Sequence, residues 1–406
     1  MKQPELLAPA GDLEKLKVAV LYGADAVYLG GRLFGLRAGA GNFSEEEMAA
    51  GVRFAHEKGV RVYITVNIFA HNSDLTVLPG YLDTVRAAGA DGVIVSDPGV
   101  VELVRKFHPA LPVHLSTQAN TTNWSAARFW EKQGVSRIIL ARELSLDEIR
   151  EIRERVGVEL EVFVHGAMCI SYSGRCLLSN YFAGRDANRG DCAQSCRWKY
   201  ALVEETRPGV YLPFEEDEKG AYILSSRDLC LIRHIPELAA AGVSSFKIEG
   251  RMKSIHYVAG VVKAYREAID AFFAVGSGCW NPDAWLEEIS KVSHREYTTG
   301  FLFGNPGAAG QHYHSKIYRR RYSFAGLVRG YDSHTGLAVV EQRNRFAAGD
   351  EMEILTPTGG PLKLKISAIY DEEGNSIEAA PHPQQIVRIP VQRELQEYSM
   401  LRKPLE

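Results

Sequence analysis

Over its first two-thirds this sequence alternates short apolar runs with amphipathic stretches, and that alternation limits the folds open to it more than any other feature. The runs that read as strands are Glu5–Ala8, Ala26–Leu29, Val62–Asn67, Gly92–Ser96, Val113–Thr117, Arg137–Leu140, Leu160–Val164 and Ser245–Ile248. Most are rich in Val, Ile, Leu or Tyr and stop at Gly, Asp, Asn or Ser, as buried parallel strands do. The stretches between them carry helix-start signals. Asp12 precedes Leu13–Tyr22, Ser44 precedes Glu45–Lys58 with Glu47 set for a capping box, and Ser145 precedes Leu146–Val156. Eight strand–helix units within about 275 residues suit a closed (β/α)8 barrel. An open doubly wound sheet is the competing fold, but the loop after its first strand should be a glycine-rich phosphate loop, and here it reads LAPAGD. The expected fold is α/β, a TIM-like barrel.

Two departures from the alternation define the rest of the chain. An insertion from Gly166 to about Leu229 is far longer than an ordinary strand–helix loop, and it holds four of the six cysteines. After Phe301-Leu302-Phe303-Gly304, Pro and Gly cluster and short strands follow: Tyr322–Val328, Leu337–Val340, Glu351–Leu355, Leu362–Ile369 and Gln385–Ile389. These predict a small C-terminal antiparallel β-barrel over residues 315–395, behind a barrel domain over 1–305.

Composition removes several classes of function. With 46% hydrophobic and 24% charged residues in 406, the chain is neither disordered nor fibrous. Its 47 basic and 50 acidic side chains give a net charge of −3, so it does not coat nucleic acid by bulk electrostatics, although a local basic patch is compatible with this balance. No apolar stretch approaches the ~20 residues of a membrane helix. The opening MKQPELLAPAG meets Pro and Glu too early for a secretory signal. A cytoplasmic protein with reduced cysteines is expected.

Cys169, Cys176, Cys192 and Cys196 are spaced C-x6-C-x15-C-x3-C, and Cys230 follows in SSRDLC. Zinc ribbons favour short C-x2-C pairs, whereas an iron–sulfur cluster needs only four thiolates meeting at one point. Gly166, Gly174, Gly184 and Gly190 would allow close backbone approach, and Arg175, Arg185, Arg189 and Arg197 supply positive charge. Cluster, zinc and unliganded thiols all remain open on spacing alone. Cys279, in GSGCW, has no partner in the pattern.

The run EVFVHGAMCISYSGRCLLS, Glu161 to Ser179, closely resembles the signature of the collagenase-like peptidase family U-32. LLAPAG near the start, HLSTQANTTN from His114, RGDCAQSCRWKY from Arg189 and SFKIEGRMKS from Ser245 extend the resemblance over nearly the whole chain. The arrangement looks most like members that help convert a tRNA wobble uridine to 5-hydroxyuridine and depend on prephenate. Other members hydroxylate an rRNA cytidine or act in pairs on a quinone precursor with [4Fe–4S] clusters. The resemblance implies cluster ligands at Cys169, Cys176, Cys192 and Cys230, with Cys196 competing for the fourth place and zinc as the alternative metal. It implies tRNA and a small carboxylate as partners, no membrane, and room for self-association or pairing with a related member. Peptidase activity is the competing function. It would need a free nucleophilic Cys activated by a His such as His165, or a metallopeptidase motif such as H-E-x-x-H, which is absent.

In a barrel of this class chemistry sits at the carboxyl ends of the strands. Asn67, Asp97, Gln118, Asn120, Arg142, Glu143, His165, Glu249 and Arg251 fall there. Arg142, His165 and Arg251 are suited to hold a dicarboxylate such as prephenate, with Asn67, Gln118 and Asn120 as further substrate contacts, and His165 or Glu249 can move protons. The ordinary alternative is that Glu249 and Arg251 only tie loops together. In SKIYRRRYSFAGLVRG, Lys316, Arg319, Arg320 and Arg321 interleave with Tyr318, Tyr322 and Phe324, and Arg343 follows in EQRNRF. Basic groups with aromatics suit RNA, but a solvated strand whose aromatics pack beneath it gives the same pattern.

Overall fold

The structure is a computed structural model that describes the chain except residues 36–40, 170, 174–175, 199–215, 218–219, 222–224, 276–279, 307–309, 313–317 and 406. Seven parallel strands lie in sequence order: β1 (Glu5–Pro9), β2 (Ala26–Leu29), β3 (Arg61–Val66), β4 (Gly92–Val95), β5 (Val113–Leu115), β6 (Arg137–Ile139) and β7 (Glu159–Ala167). The strand Ser245–Ile248 pairs in parallel with both β1 and β7, which closes an eight-stranded barrel. The expected α/β barrel is therefore the observed one. Its helices begin where their caps require. The side chains of Asp12, Ser44 and Ser145 each accept a backbone N–H of the first turn, and Ser44 and Ser145 complete capping boxes with Glu47 and Glu148.

β7 is longer than its neighbours, and two partners share it. Its lower part pairs with the closing strand, while Ala167, Gly166 and His165 pair antiparallel with Asp228, Leu229 and Cys230, where the insertion returns. The insertion thus leaves and re-enters at the barrel mouth. Arg189 ties it to the rim by donating to Asp74 Oδ2 at 2.8 Å. That hydrogen bond is the main reason the Asp74 carboxyl is held down to about 2.

The barrel interior departs from the layers of aliphatic side chains usual in this architecture. Leu7, Tyr28, Ile94 and Ile139 point inward, but beneath them lies a connected set of buried charges. Arg137 donates through Nη1 to Glu5 Oε1 at 2.5 Å and to Glu161 Oε2 at 3.1 Å. Lys247 donates to Glu161 Oε1 at 3.0 Å, and Tyr63 donates its hydroxyl to Glu5 at 2.9 Å. Burial alone would raise the Glu161 carboxyl, yet the cations of Lys247 and Arg137 bring it down to about 2. β1, β3, β6, β7 and the closing strand are joined across the lumen by these contacts.

The C-terminal sheet has eight antiparallel strands in the order Leu362–Lys365, Glu351–Leu355, Met400–Pro404, Tyr322–Asp332, Leu337–Gln342, Ile386–Pro390, Ile369–Tyr370 and Ser376–Ile377. Its two outer strands do not pair among the described residues, so the small antiparallel β-barrel expected here takes the form of a half-barrel. The long strand Tyr322–Asp332 bends at two slips of register, between Phe324 and Gly326 and between Val328 and Gly330. The sheet runs on to Pro404, because Met400 and Leu401 supply a buried strand that the turn-rich approach to it conceals. It docks on the barrel helices through shared core (Phe324, Leu327, Leu355, Tyr398, Met400) and through directed polar contacts. Tyr22 donates to the carbonyls of Leu355 and Tyr398, both at 2.9 Å. Among the described residues no helix is long and apolar enough to cross a membrane.

Removing one member of a buried ionic set leaves the others uncompensated, at a cost of about 3–5 kcal/mol. Glu161→Gln is expected to destabilise the chain by about that amount in urea unfolding, and a loss below about 1 kcal/mol contradicts the role given to this network.

Candidate functional site at the barrel mouth

One cavity opens at the carboxyl ends of the strands, and its lining includes Tyr28, Thr65, Asn67, Gln118, Arg142, Phe163, Lys247, Glu249 and Arg251. Five residues singled out from the sequence therefore meet there: Asn67, Gln118, Arg142, Glu249 and Arg251. Gln118 sits in the one-turn helix Thr117–Ala119 that follows β5, and its buried Oε1 has no hydrogen-bond partner. Asn120 ends that turn in a left-handed conformation, with φ of 53°, and stands behind the cavity wall. It donates to the Gln118 carbonyl at 2.9 Å and to the Ser173 carbonyl at 3.3 Å, so it fixes the turn and tethers the insertion.

Arg142 lies over the Phe163 ring, 4.2 Å from its centroid, and donates Nη1 to the Ala167 carbonyl at 2.6 Å. Its Nε is buried without a partner. Arg251 is buried and donates Nη2 to Asn42 Oδ1 at 2.6 Å. Two glycines make its position possible. A Cβ on Gly11 would stand 2.1 Å from the Arg251 carbonyl oxygen, and one on Gly30 would stand 2.4 Å from Nη2. This accounts for the glycine of LLAPAG. Asp97, also expected at the rim, instead caps the helix Pro98–Phe107 by accepting from Gly99 and Val100.

His165 is not in the cavity. Phe163 pairs with Lys247 but His165 pairs with Ile248, so the register slips by one residue and the ring turns toward the outer helix layer. There the rings of Tyr257, Tyr265 and Tyr297 surround it at 5.4–5.9 Å between centroids. Burial presses its pKa down to about 3. It cannot act as a base on a substrate in the mouth, which corrects the expectation.

The cysteines divide into two groups. Cys169 and Cys192 are exposed, Cys176 and Cys196 are half-buried, and all four belong to the insertion. Cys169 lines a second cavity beside Glu143, Tyr172 and Thr298. Cys230 is buried, with its sulfur 3.9 Å from the Tyr265 hydroxyl and its thiol pushed up to about 11 by burial. Among the described residues no three His, Cys, Asp or Glu side chains are grouped so as to hold a metal ion. The thiol chemistry suits a cluster, but among the described residues this arrangement does not bring the sulfurs to one point. Cys279 lies outside the described residues.

The expected RNA-contacting residues are largely engaged. Arg343 bridges Glu14 at 2.8 Å and Glu341 at 2.8 Å, so it ties the sheet to the barrel. Arg319 pairs with Glu296, Arg320 donates to the Tyr322 carbonyl at 3.0 Å, and Arg321 donates to Ser290 Oγ at 3.2 Å. Arg319, Arg320 and Arg321 remain exposed. Lys316 lies outside the described residues.

Models of two families match this sequence: Peptidase family U32 over residues 11–312 and Peptidase family U32 C-terminal domain over residues 320–402. The chain belongs to peptidase family U32. It is 47% identical to "tRNA hydroxylation protein P1" of Bacillus subtilis (strain 168), across 99% of this chain and 95% of that protein. It is 38% identical to "tRNA hydroxylation protein P" of Escherichia coli (strain K12), across 99% and 97%. It is also 33% identical to "Collagenase" of Porphyromonas gingivalis (strain ATCC BAA-308 / W83), across 96% and 95%.

Lys247 is a charged residue of the cavity lining that sequence reasoning missed. A lysine inside SFKIEGR reads as a strand interruption, but it has the same parity as Glu249 and Arg251, and that spacing was the available signal.

His114, His165 and His256 are all buried with their pKa values held near 3, chiefly by burial. Unfolded histidines take up protons below about 6.5. The folded chain refuses them until about pH 3, so stability falls as pH drops through this window, by up to about 1.4 kcal/mol per pH unit for each histidine. In urea unfolding between pH 6.5 and 4, His165→Gln is expected to reduce that slope by about one proton. An unchanged slope contradicts the buried neutral ring.

Proposed function

We propose that this protein hydroxylates a tRNA wobble uridine to 5-hydroxyuridine, with prephenate as the small-molecule requirement and a [4Fe–4S] cluster as cofactor. The observation that carries this reading is similarity along almost the whole chain, at 47% identity, to a protein named for tRNA hydroxylation. The mouth cavity supports the small-molecule part. Guanidinium groups bind carboxylates in bidentate fashion, and both Arg142 and Arg251 line it. In this reading Arg142 binds a carboxylate, Asn67 and Gln118 orient the ligand, and Glu249 moves a proton. Arg251, held by Asn42, supplies positive potential.

Cys169, Cys176, Cys192 and Cys230 are the cluster ligands in this reading, and the cluster would supply electron transfer. The support is the donor set itself, five thiols between residues 169 and 230 with four on one insertion at the mouth.

A proteolytic reading is favoured by one observation, the collagenase relative. A His165-activated thiol would need that ring to reach a peptide, and His165 is enclosed by three tyrosines and 1% exposed. Hydroxylation is the better-supported function.

In a strain lacking the gene, tRNA nucleoside mass spectrometry is expected to show loss of 5-hydroxyuridine and its derivatives, restored by the intact gene and not by Arg142→Met. Unchanged nucleosides contradict the reading. Anaerobically purified protein is expected to contain iron and sulfide with visible absorption that Cys230→Ala abolishes and Cys196→Ala retains. The reverse pattern exchanges the fourth ligand, and iron-free protein removes the cluster. For tRNA contact, replacing Arg319, Arg320 and Arg321 by Ala is expected to lower the salt dependence of tRNA affinity by about one unit of slope per residue. An unchanged slope takes RNA away from this strand.

A further inference from the structure

The floor of the mouth cavity carries an amine that none of the roles above uses. We propose that Lys247 is a covalent site for a 2-oxo acid, whose ketone condenses with Nζ to form an iminium while Arg142 holds the carboxylate. Only the identity of the acid rests on the reading under Proposed function, since prephenate carries a pyruvyl side chain and is itself a 2-oxo acid.

The geometry is that of an activated amine rather than of a surface cation. Lys247 is buried on the closing strand, and its side chain lines the cavity together with Gln118, Phe163, Arg142 and Glu249. Its Nζ lies 4.4 Å from the centroid of the Tyr28 ring and 5.5 Å from that of Phe163. Among the described residues Glu161 is its hydrogen-bond partner, at 3.0 Å. An ammonium has three donors. A lysine with a purely structural role, this deeply buried, would be surrounded by acceptors, whereas this one meets a single carboxylate, two aromatic rings and an open cavity. Burial first, then the cations of Arg137 and Arg142, lower its pKa against the pull of Glu161. Desolvation beside other cations is how proteins make a lysine nucleophilic.

The step balances without an oxidant or reductant. Nζ loses a proton toward Glu161, its lone pair forms a bond to the ketone carbon as the C=O π bond breaks, and a second Nζ proton moves to the resulting alkoxide to give a carbinolamine. The unpartnered Gln118 Oε1 is an acceptor for that hydroxyl. The nitrogen lone pair then forms C=N, and the hydroxyl leaves as water with the returned proton. The product iminium is a cation like the ammonium it replaces, so its pairing with Glu161, and with it the buried charge network, survives the reaction. Such an iminium draws electrons from the adjacent carbons and makes their C–H bonds more acidic.

The test is reductive trapping. The full-length protein is incubated with phenylpyruvate and sodium cyanoborohydride, then analysed by intact mass and peptide mapping. The expected result is one adduct, on the peptide containing Lys247, absent from Lys247→Arg and formed roughly tenfold or more slowly in Arg142→Met. Mapping on the unaltered protein needs no variant, so a folding failure of Lys247→Arg leaves the test intact. No adduct, or adducts scattered over exposed lysines, overturns the proposal. Because trapping uses no tRNA, its failure in a protein that still hydroxylates tRNA removes the iminium alone. Trapping at Lys247 in a protein without effect on tRNA removes the RNA reading alone.

Discussion

The charged interior of the barrel is the constraint on which the rest depends. Glu5, Arg137, Glu161 and Lys247 are buried together below the mouth, and each is matched by an opposite charge within hydrogen-bonding distance. Pairs of this kind contribute little net stability compared with an apolar filling, since desolvating the ions offsets most of their attraction. What they impose is mutual position. Glu161 comes from β7, Arg137 from β6 and Lys247 from the strand that closes the barrel, so the three meet only when closure and register are correct. The floor of the cavity is therefore polar and fixed before any ligand enters, as preorganised electrostatics require.

Above that floor the molecule separates positioning from contact. Asn120 holds a turn and a loop, Asn42 holds Arg251, and Gly11 and Gly30 leave space for it. Arg142 and Gln118 keep buried polar atoms without protein partners and face the cavity. Unsatisfied polar groups of this kind cost stability, and they persist where a ligand completes them. The insertion lies across this mouth, anchored through Arg189 to Asp74 and through Ser173 to Asn120. Of the thiols it carries, Cys169 lines the second cavity, beside Glu143.

Much of this was legible in the sequence. The eight barrel strands, their caps and the insertion followed from periodicity and from Asp12, Ser44 and Ser145, because buried parallel strands and N-caps leave local signatures. Asn67, Gln118, Arg142, Glu249 and Arg251 were found by the rule that strand ends carry function. The failures were non-local. A one-residue slip between β7 and the closing strand turned His165 out of the lumen, and pairing register cannot be read from either strand alone. Arg343 looked like part of a basic patch because Glu14, one of the two carboxylates that neutralise it, lies far away in sequence. Lys247 was passed over because a lone lysine in an apolar run gains meaning only when Glu161 is seen opposite it.

The central claim is that the mouth of this barrel receives a small carboxylic acid, with Arg142 above and Lys247 below. Its most direct measurement is a crystal structure of the protein grown anaerobically with prephenate. The account predicts ligand density in the mouth, a carboxylate on the Arg142 guanidinium and the ketone carbon at Lys247 Nζ. Prephenate bound elsewhere, with Arg142 Nε and Gln118 Oε1 still unpartnered, would contradict it.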